Sequence, residues 1–148
     1  MKEVYLTNSP KETEAVGMEL ADTLTRLAPH GALIAMEGEM GVGKTAFVRG
    51  FTAALGIKGA KSPTYTIVNE YCGSHAVFHF DMYRIEDEED LYAIGFEDYL
   101  AREGYIFIEW SENVKGALPS PHVTLSITRT DDACGRRIEI RGLDAIAR

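Results

Sequence analysis

Residues 38–45 read Gly-Glu-Met-Gly-Val-Gly-Lys-Thr, and this stretch decides the fold that the sequence predicts. It matches the pattern G-x-x-x-x-G-K-[ST], in which glycines allow successive backbone N–H groups to curve around an anion. Lys44 has the length to reach the outer phosphates of a nucleotide, and the Thr45 hydroxyl is a ligand type that binds magnesium. The pattern therefore predicts a phosphate-binding loop.

The residues on both sides of this stretch predict the strand and the helix that such a loop connects. Residues 32–36, Ala-Leu-Ile-Ala-Met, are a short apolar run typical of a buried strand. Beyond the loop, apolar side chains recur at helical spacing, and Gly56 is placed to end the helix. These apolar residues are Phe47, Val48, Phe51 and Leu55. A helix that begins at the loop also turns its positive end toward a bound anion.

Bulk composition limits the kind of protein that carries this loop. The 148 residues, with 15 basic and 23 acidic side chains and a net charge of −8, predict one acidic domain spanning residues 1–148. The acidity argues against tight, independent binding of nucleic acid. No signal-like or membrane-spanning stretch is visible, so we expect a cytoplasmic protein with no membrane partner. Cys72 and Cys134 lack metal-ligand spacing and are expected to be free thiols.

The remaining chain alternates between strand and helix patterns, which predicts an α/β fold with a P-loop NTPase-like mixed sheet, parallel plus antiparallel, flanked by helices. Ser9 and Pro10 begin a helix whose apolar stripe ends before Gly31. This stripe comprises Thr13, Gly17, Leu20, Leu24 and Leu27. Strands are predicted at residues 4–6, 66–71, 76–81, 105–109, 123–127 and 137–141, with a hairpin between the second and third. Short helices are expected from residues 86–90 and 96–102, and the last residues resemble a frayed tail.

Two carboxylates follow apolar strands, at the sheet edge where open α/β folds bind ligands. Asp81 ends the run that contains His79, and Glu109 ends another. Either could hold magnesium together with Thr45, and the other would then orient an attacking water. His79 and Asp81 would lie on one face of their strand, with no further role assigned to His79. Residues 61–66, rich in hydroxyl groups, are placed as a loop that senses the γ-phosphate.

The chain contains four motifs in this order: G-E-M-G-V-G-K-T, S-P-T-Y-T, H-F-D-M-Y-R and I-E-W. Together they resemble the bacterial TsaE (YjeE) family over roughly residues 6–136. The resemblance implies a small P-loop ATPase that supports formation of N6-threonylcarbamoyladenosine at position 37 of ANN-decoding tRNAs. It implies TsaD and TsaB as protein partners, with tRNA contacted indirectly through that complex. It also implies that the transfer belongs to TsaD, while ATP binding and hydrolysis reset the complex between turnovers.

The resemblance also implies roles for individual residues. Thr45 and Glu109 would bind Mg²⁺, Asp81 and Lys44 would be the catalytic residues, and Thr64 and Tyr65 would lie in the switch-like loop. ATP or ADP would contact the following residues: Ser9, Gly38, Glu39, Met40, Gly41, Val42, Gly43, Lys44, Thr45, Glu112 and Arg136. Ser111 stands where the family often has proline, which changes the stiffness of the loop that carries Glu112.

Two other classes of protein carry phosphate-binding loops. In a small-molecule kinase Asp81 would activate an acceptor hydroxyl, but no arginine-rich lid is visible, and Arg136 and Arg137 are the only adjacent arginines. The second class is a GTPase-type switch or a pure interaction module, and the N-K-x-D motif that would select guanine does not occur in the sequence. A kinase consumes ATP in step with an acceptor, whereas a TsaE-like ATPase responds to partner proteins.

Overall fold

A single seven-stranded sheet organises the chain. The computed structural model describes residues 3–38, 43–58, 68–80, 87–109 and 116–146. The strands are β1 (Val4–Thr7), β2 (Gly31–Glu37), β3 (Val68–Cys72), β4 (Ala76–Phe80), β5 (Gly104–Ile108), β6 (Val123–Arg129) and β7 (Arg136–Arg141). The helices are α1 (Pro10–Leu27), α2 (Lys44–Ala54), α3 (Glu88–Ala93), α4 (Phe96–Leu100) and α5 (Leu143–Ile146). Within these described ranges, no helix has the length and apolarity that crossing a membrane requires.

The sheet is mixed, which confirms the predicted fold class. The strand order is β1-β7-β6-β2-β5-β4-β3, so β2, the strand that leads into the glycine-rich stretch, lies in the centre. Strand β2 pairs in parallel with β5 and β6, and β4 pairs in parallel with β5. The β1–β7, β6–β7 and β3–β4 pairs are antiparallel, so the predicted β3–β4 hairpin is confirmed within its described residues. The carboxyl ends of β1, β2, β4, β5 and β6 therefore share one edge of the sheet.

Helices cover the sheet on both faces because its central strands are apolar on both. On one face α1 and α2 pack on Ile34, Met36 and Phe107. On the other face Leu91 of α3 and Phe96 of α4 pack on apolar side chains of β2, β4 and β5. All five residues of β5 are buried, as an uninterrupted apolar strand predicts.

Helices α1 and α2 cross at two glycines. A Cβ on Gly17 would overlap the carbonyl oxygen of Phe47, and one on Gly50 would overlap the carbonyl oxygen of Glu14. The backbones can approach this closely only because neither glycine has a side chain. Beside the crossing, Arg49 Nη1 lies 2.8 Å from Glu14 Oε1. The crossing holds α2, and with it the residues that follow the glycine-rich stretch, against the core.

Tyr105 of β5 ties the sheet to the end of α1. Its hydroxyl donates to the carbonyl oxygen of Ala28, at 2.8 Å, and approaches that of Leu24 at 3.3 Å. Burial raises the pKa of this hydroxyl above its usual value of 10.0, because the phenolate would lose its hydration. The side chain therefore stabilises the fold in its neutral form.

Two predictions about local structure were wrong. Leu27 was expected in the apolar stripe of α1, yet 38% of it is exposed, because it is the last residue of the helix and lies where α1 ends at the surface. The chain end was expected to fray, but Leu143–Ile146 form α5, and Leu143 and Ile146 pack against the core. An interior surface for these two side chains exists only once the sheet has formed.

Candidate nucleotide-binding site

Helix α2 begins at the glycine-rich stretch, beside the end of the central strand. Gly43 is its N-cap, with φ +114°, a left-handed conformation in which most other residues would be strained. No side chain caps the first turn, and the first helical bond runs from the Phe47 N–H to the Gly43 carbonyl oxygen at 3.0 Å. Lys44, the first residue of α2, is only 5% exposed. A buried ammonium at a helix start favours an anion nearby.

Glu109 stands at the same edge of the sheet, directly after β5. Its backbone N–H donates to the carbonyl oxygen of Phe80 at 3.1 Å, so the β4–β5 pairing continues one residue beyond β5 and fixes the position of Glu109. Its side chain is 13% exposed, and its Oε2 lies 2.8 Å from Nε2 of the fully buried His79. The predicted strand-end carboxylate is therefore held by its backbone and approached by a histidine from the neighbouring strand.

A cavity of about 520 Å³ opens beside the start of α2. It brings together three residues that the sequence predicted to contact nucleotide, Ser9, Gly43 and Arg136. Its other lining residues are Asn8, Pro10, Thr13, Ala46, Ala133 and Cys134. They come from the end of β1, the starts of α1 and α2, and the β6–β7 turn, which all meet at the carboxyl edge of the sheet.

Ser9 and Arg136 also have structural partners. The Ser9 hydroxyl accepts a hydrogen bond from the Glu12 N–H at 3.1 Å, which confirms the predicted N-cap of α1. Arg136 Nη1 donates to the carbonyl oxygens of Gly135, at 2.8 Å, and Ala133, at 3.1 Å. The guanidinium is thus anchored to its own turn at the cavity wall.

The structure places only part of the predicted site. Gly38, Gly43, Lys44, Thr45 and Glu109 are described, as are Ser9 and Arg136. The other predicted residues lie outside the described residues: Glu39, Met40, Gly41, Val42, Thr64, Tyr65, Asp81 and Glu112. The sequence did not predict that Asn8, Thr13, Ala133 and Cys134 line the cavity, and no spacing signal could have grouped them. The contact between His79 and Glu109 was also missed, because it depends on which strands are neighbours.

The donor atoms at this edge suit magnesium. Thr45 and Glu109 offer a hydroxyl and a carboxylate oxygen, and hard cations such as Mg²⁺ bind oxygen. No group of three His, Cys, Asp or Glu side chains that could hold a metal occurs in the part of the chain that the structure describes. Magnesium commonly uses one or two protein oxygens and completes its shell with phosphates and water. The residues present fit such an ion.

Comparison with known proteins decides the family. The family model described as "Threonylcarbamoyl adenosine biosynthesis protein TsaE" matches residues 7–138. The chain belongs to the TsaE family. It is 39% identical over 127 residues to the tRNA threonylcarbamoyladenosine biosynthesis protein TsaE of Haemophilus influenzae, covering 84% of this chain and 79% of the relative. It is 37% identical over 131 residues to the TsaE protein of Bacillus subtilis, covering 86% and 78%.

A solved structure supports the same assignment. The crystal structure of Bacillus subtilis YdiB superposes with a TM-score of 0.75 and 28% sequence identity, covering 95% of this chain and 84% of that one. The sequence resemblance to the TsaE family is therefore confirmed, and the mixed α/β sheet is shared with YdiB.

Proposed function

We propose that this chain is the Mg²⁺-dependent, ATP-binding and ATP-hydrolysing component of the bacterial system that forms N6-threonylcarbamoyladenosine at position 37 of ANN-decoding tRNAs. It would act with TsaD and TsaB and reset their complex between turnovers. Membership of the TsaE family supports the pathway. The site at the carboxyl edge of the sheet supports the use of ATP. Because the chain has a net charge of −8, tRNA would be contacted mainly through the partners.

One observation carries the ATP assignment. Lys44 is buried at the first position of a helix that starts at a left-handed glycine, next to the end of the central parallel strand. A lysine ammonium at the start of a helix favours a negative group beside it, because its charge and the positive end of the helix dipole have the same sign. The phosphates of a nucleotide supply the negative charge, and the helix dipole adds to their attraction.

The cavity supports a place for the rest of the nucleotide. At about 520 Å³ it falls within the range of about 300–1,000 Å³ that small-molecule sites occupy. It touches both Gly43, at the phosphate end, and Arg136, on the β6–β7 turn. In this proposal the adenosine part lies between α1 and that turn, where Ser9 and Arg136 present polar groups.

Separate residues would bind the metal ion and orient the attacking water. Thr45 and Glu109 would hold Mg²⁺, which supplies positive charge to neutralise the phosphate oxygens as the terminal phosphate leaves. Lys44 would bind the same phosphates directly. Asp81, two residues after His79, would orient the attacking water. Binding, metal coordination and hydrolysis are then separable by mutation.

The first experiment measures ATP affinity of Lys44→Ala by isothermal titration. A charge-assisted hydrogen bond contributes about 1.5–3 kcal/mol. At about 1.4 kcal/mol per factor of ten, the dissociation constant should rise roughly 10- to 150-fold. The matched control is Lys58→Ala, since Lys58 is exposed beyond the end of α2 and should bind ATP as the wild type does. Equal affinity for the wild type and Lys44→Ala would contradict the assignment.

A second experiment tests hydrolysis and partners together. Phosphate release from ATP is measured with Mg²⁺, with and without the TsaD–TsaB pair. We expect stimulation by the pair without any acceptor, and suppression of hydrolysis but not of ATP binding in Asp81→Asn. Phosphate transfer that requires a small-molecule acceptor would instead identify a kinase, and a preference for GTP would identify a GTPase.

A further inference from the structure

His79 is a fully buried polar residue beside Glu109, one of the two proposed metal ligands. It lies on β4, where it pairs with Phe107 of β5, and none of its side chain is exposed. Val77, on the same face of β4, belongs to the apolar core beneath α1 and α2. The Phe107 ring contacts the imidazole edge-on, with centroids 6.4 Å apart. The surroundings of His79 are therefore largely apolar, although its paired residue on β3 is Asn69.

An imidazole in such surroundings costs stability that an apolar side chain would not. Neither ring nitrogen of His79 has a well-aligned hydrogen-bond partner among the described residues. Buried polar groups without an aligned partner are uncommon in proteins, and each calls for an explanation such as a catalytic role or a bound water or ion. Leucine or phenylalanine would fill the position without this penalty. Packing alone does not account for histidine here.

The Glu109 carboxylate lies within reach of His79. Nε2 lies 2.8 Å from Oε2, which is hydrogen-bond distance, although the approach departs from the direction of the ring N–H. Hydrogen bonds around a catalytic site are often poorly aligned before the ligand binds and tighten in the complex. The backbone bond to Phe80 fixes where Glu109 begins, but not how its carboxylate is turned.

The geometry points to His79 as a positioning residue that holds the Glu109 carboxylate in the orientation needed to bind the metal. The inference rests on the proposed function, because Glu109 must be the metal ligand. Carboxylates that bind metals are themselves held by outer hydrogen bonds, and removing such a partner typically weakens metal affinity by about 10- to 100-fold. His79 would donate from Nε2 to one carboxylate oxygen and would not touch the nucleotide.

The test measures Mn²⁺ binding by electron paramagnetic resonance in the presence of ADP, together with ADP binding in the absence of metal. We expect His79→Leu to weaken Mn²⁺ binding about 10-fold or more while leaving metal-free ADP binding unchanged. His79→Gln, which keeps an N–H donor near the Nε2 position, should recover most of the affinity. His75→Leu makes the same chemical change at the other end of β4, next to the Tyr105 ring, and should bind Mn²⁺ like the wild type.

The outcomes separate the inference from the proposed function. If wild-type protein binds neither ADP nor Mn²⁺ with ADP, the proposed function fails and the inference fails with it. If wild-type protein binds both, and a folded His79→Leu binds Mn²⁺ equally well, only the inference fails. Equal weakening in His79→Leu and His79→Gln would mean that the imidazole shape matters rather than the donor, and this too would overturn it.

A measurement on wild-type protein keeps the inference testable if His79→Leu does not fold. Nitrogen-15 NMR of the histidine rings reports which nitrogen carries hydrogen. We expect Nε2 of His79 to be protonated and its resonance to move in Glu109→Ala, while that of His75 stays in place. A His79 ring with hydrogen only on Nδ1 has no donor facing Glu109 and would refute the positioning role.

Discussion

Replacing Gly50 by alanine tests whether the crossing of α1 and α2 limits stability. The new Cβ would lie 2.6 Å from the carbonyl carbon of Glu14 and 2.7 Å from its Cα, and closer still to its carbonyl oxygen. Carbon atoms in ordinary contact are about 3.5–4.0 Å apart, so α2 would have to move by about 1 Å. All three of these Glu14 atoms belong to the backbone, so no side-chain rotation can relieve the overlap.

Two opposing contributions determine the size of the effect. Overpacking of a well-packed core costs about 1–3 kcal/mol, and a clash with backbone belongs at the upper end. Alanine in place of glycine inside a helix gains about 1 kcal/mol. The expected net loss for Gly50→Ala is about 2 kcal/mol in the free energy of unfolding. For a chain of about 150 residues this lowers the melting temperature by roughly 4–8 °C.

Urea unfolding followed by circular dichroism measures the loss, and Ala53→Gly on the same helix is the control. Ala53 is exposed, so this change reports helix propensity alone and should cost about 1 kcal/mol. If helix propensity alone decided both positions, Gly50→Ala would raise the free energy of unfolding by the amount that Ala53→Gly lowers it. A Gly50→Ala protein as stable as the wild type, or more stable, would refute the reasoning about the crossing.

Three further predictions follow from single contacts. Tyr105→Phe removes the hydroxyl bound to Ala28 and should cost about 1 kcal/mol at pH 8 in urea unfolding. Folding raises the pKa of Tyr105, so the stability that its hydroxyl contributes is complete below about pH 10 and is lost above it. The free energies of unfolding of the wild type and Tyr105→Phe should therefore converge as the pH rises past 10. A constant difference up to pH 11 would contradict this. Ser9→Ala should destabilise by about 1 kcal/mol through loss of the α1 cap, while Ser9→Asn should retain stability; equal melting temperatures for all three proteins would argue against the cap. Cys134 lines the cavity whereas Cys72 lies on β3, and both are exposed free thiols. Saturating ATP should therefore slow alkylation of Cys134 but not of Cys72, and equal rates with and without ATP would place the nucleotide elsewhere.

Much of the fold could be predicted because the patterns that produce it are local. The apolar run before Gly38, the helical spacing after Lys44 and the N-cap at Ser9 each depend on residues within one or two turns of one another. The β3–β4 hairpin follows from a short connection between two strands. The wrong predictions, Leu27 and the chain end, concern which surfaces become buried. That depends on the packed sheet and not on local spacing.

The candidate site likewise combines features that depend on local sequence with features that depend on the packed fold. The sequence by itself determined the glycine-rich motif and the carboxylate that follows β5, because the spacing of glycines, lysine and hydroxyl that predicts phosphate binding is local. Only the tertiary structure decided that Ser9 and Arg136, 127 residues apart, share one cavity and that His79 reaches Glu109. Both contacts depend on strand order, which places β5 beside β4 and brings the β6–β7 turn to the start of α1. Strand order is set by burial of both sheet faces at once, a property of the whole chain that no segment carries alone.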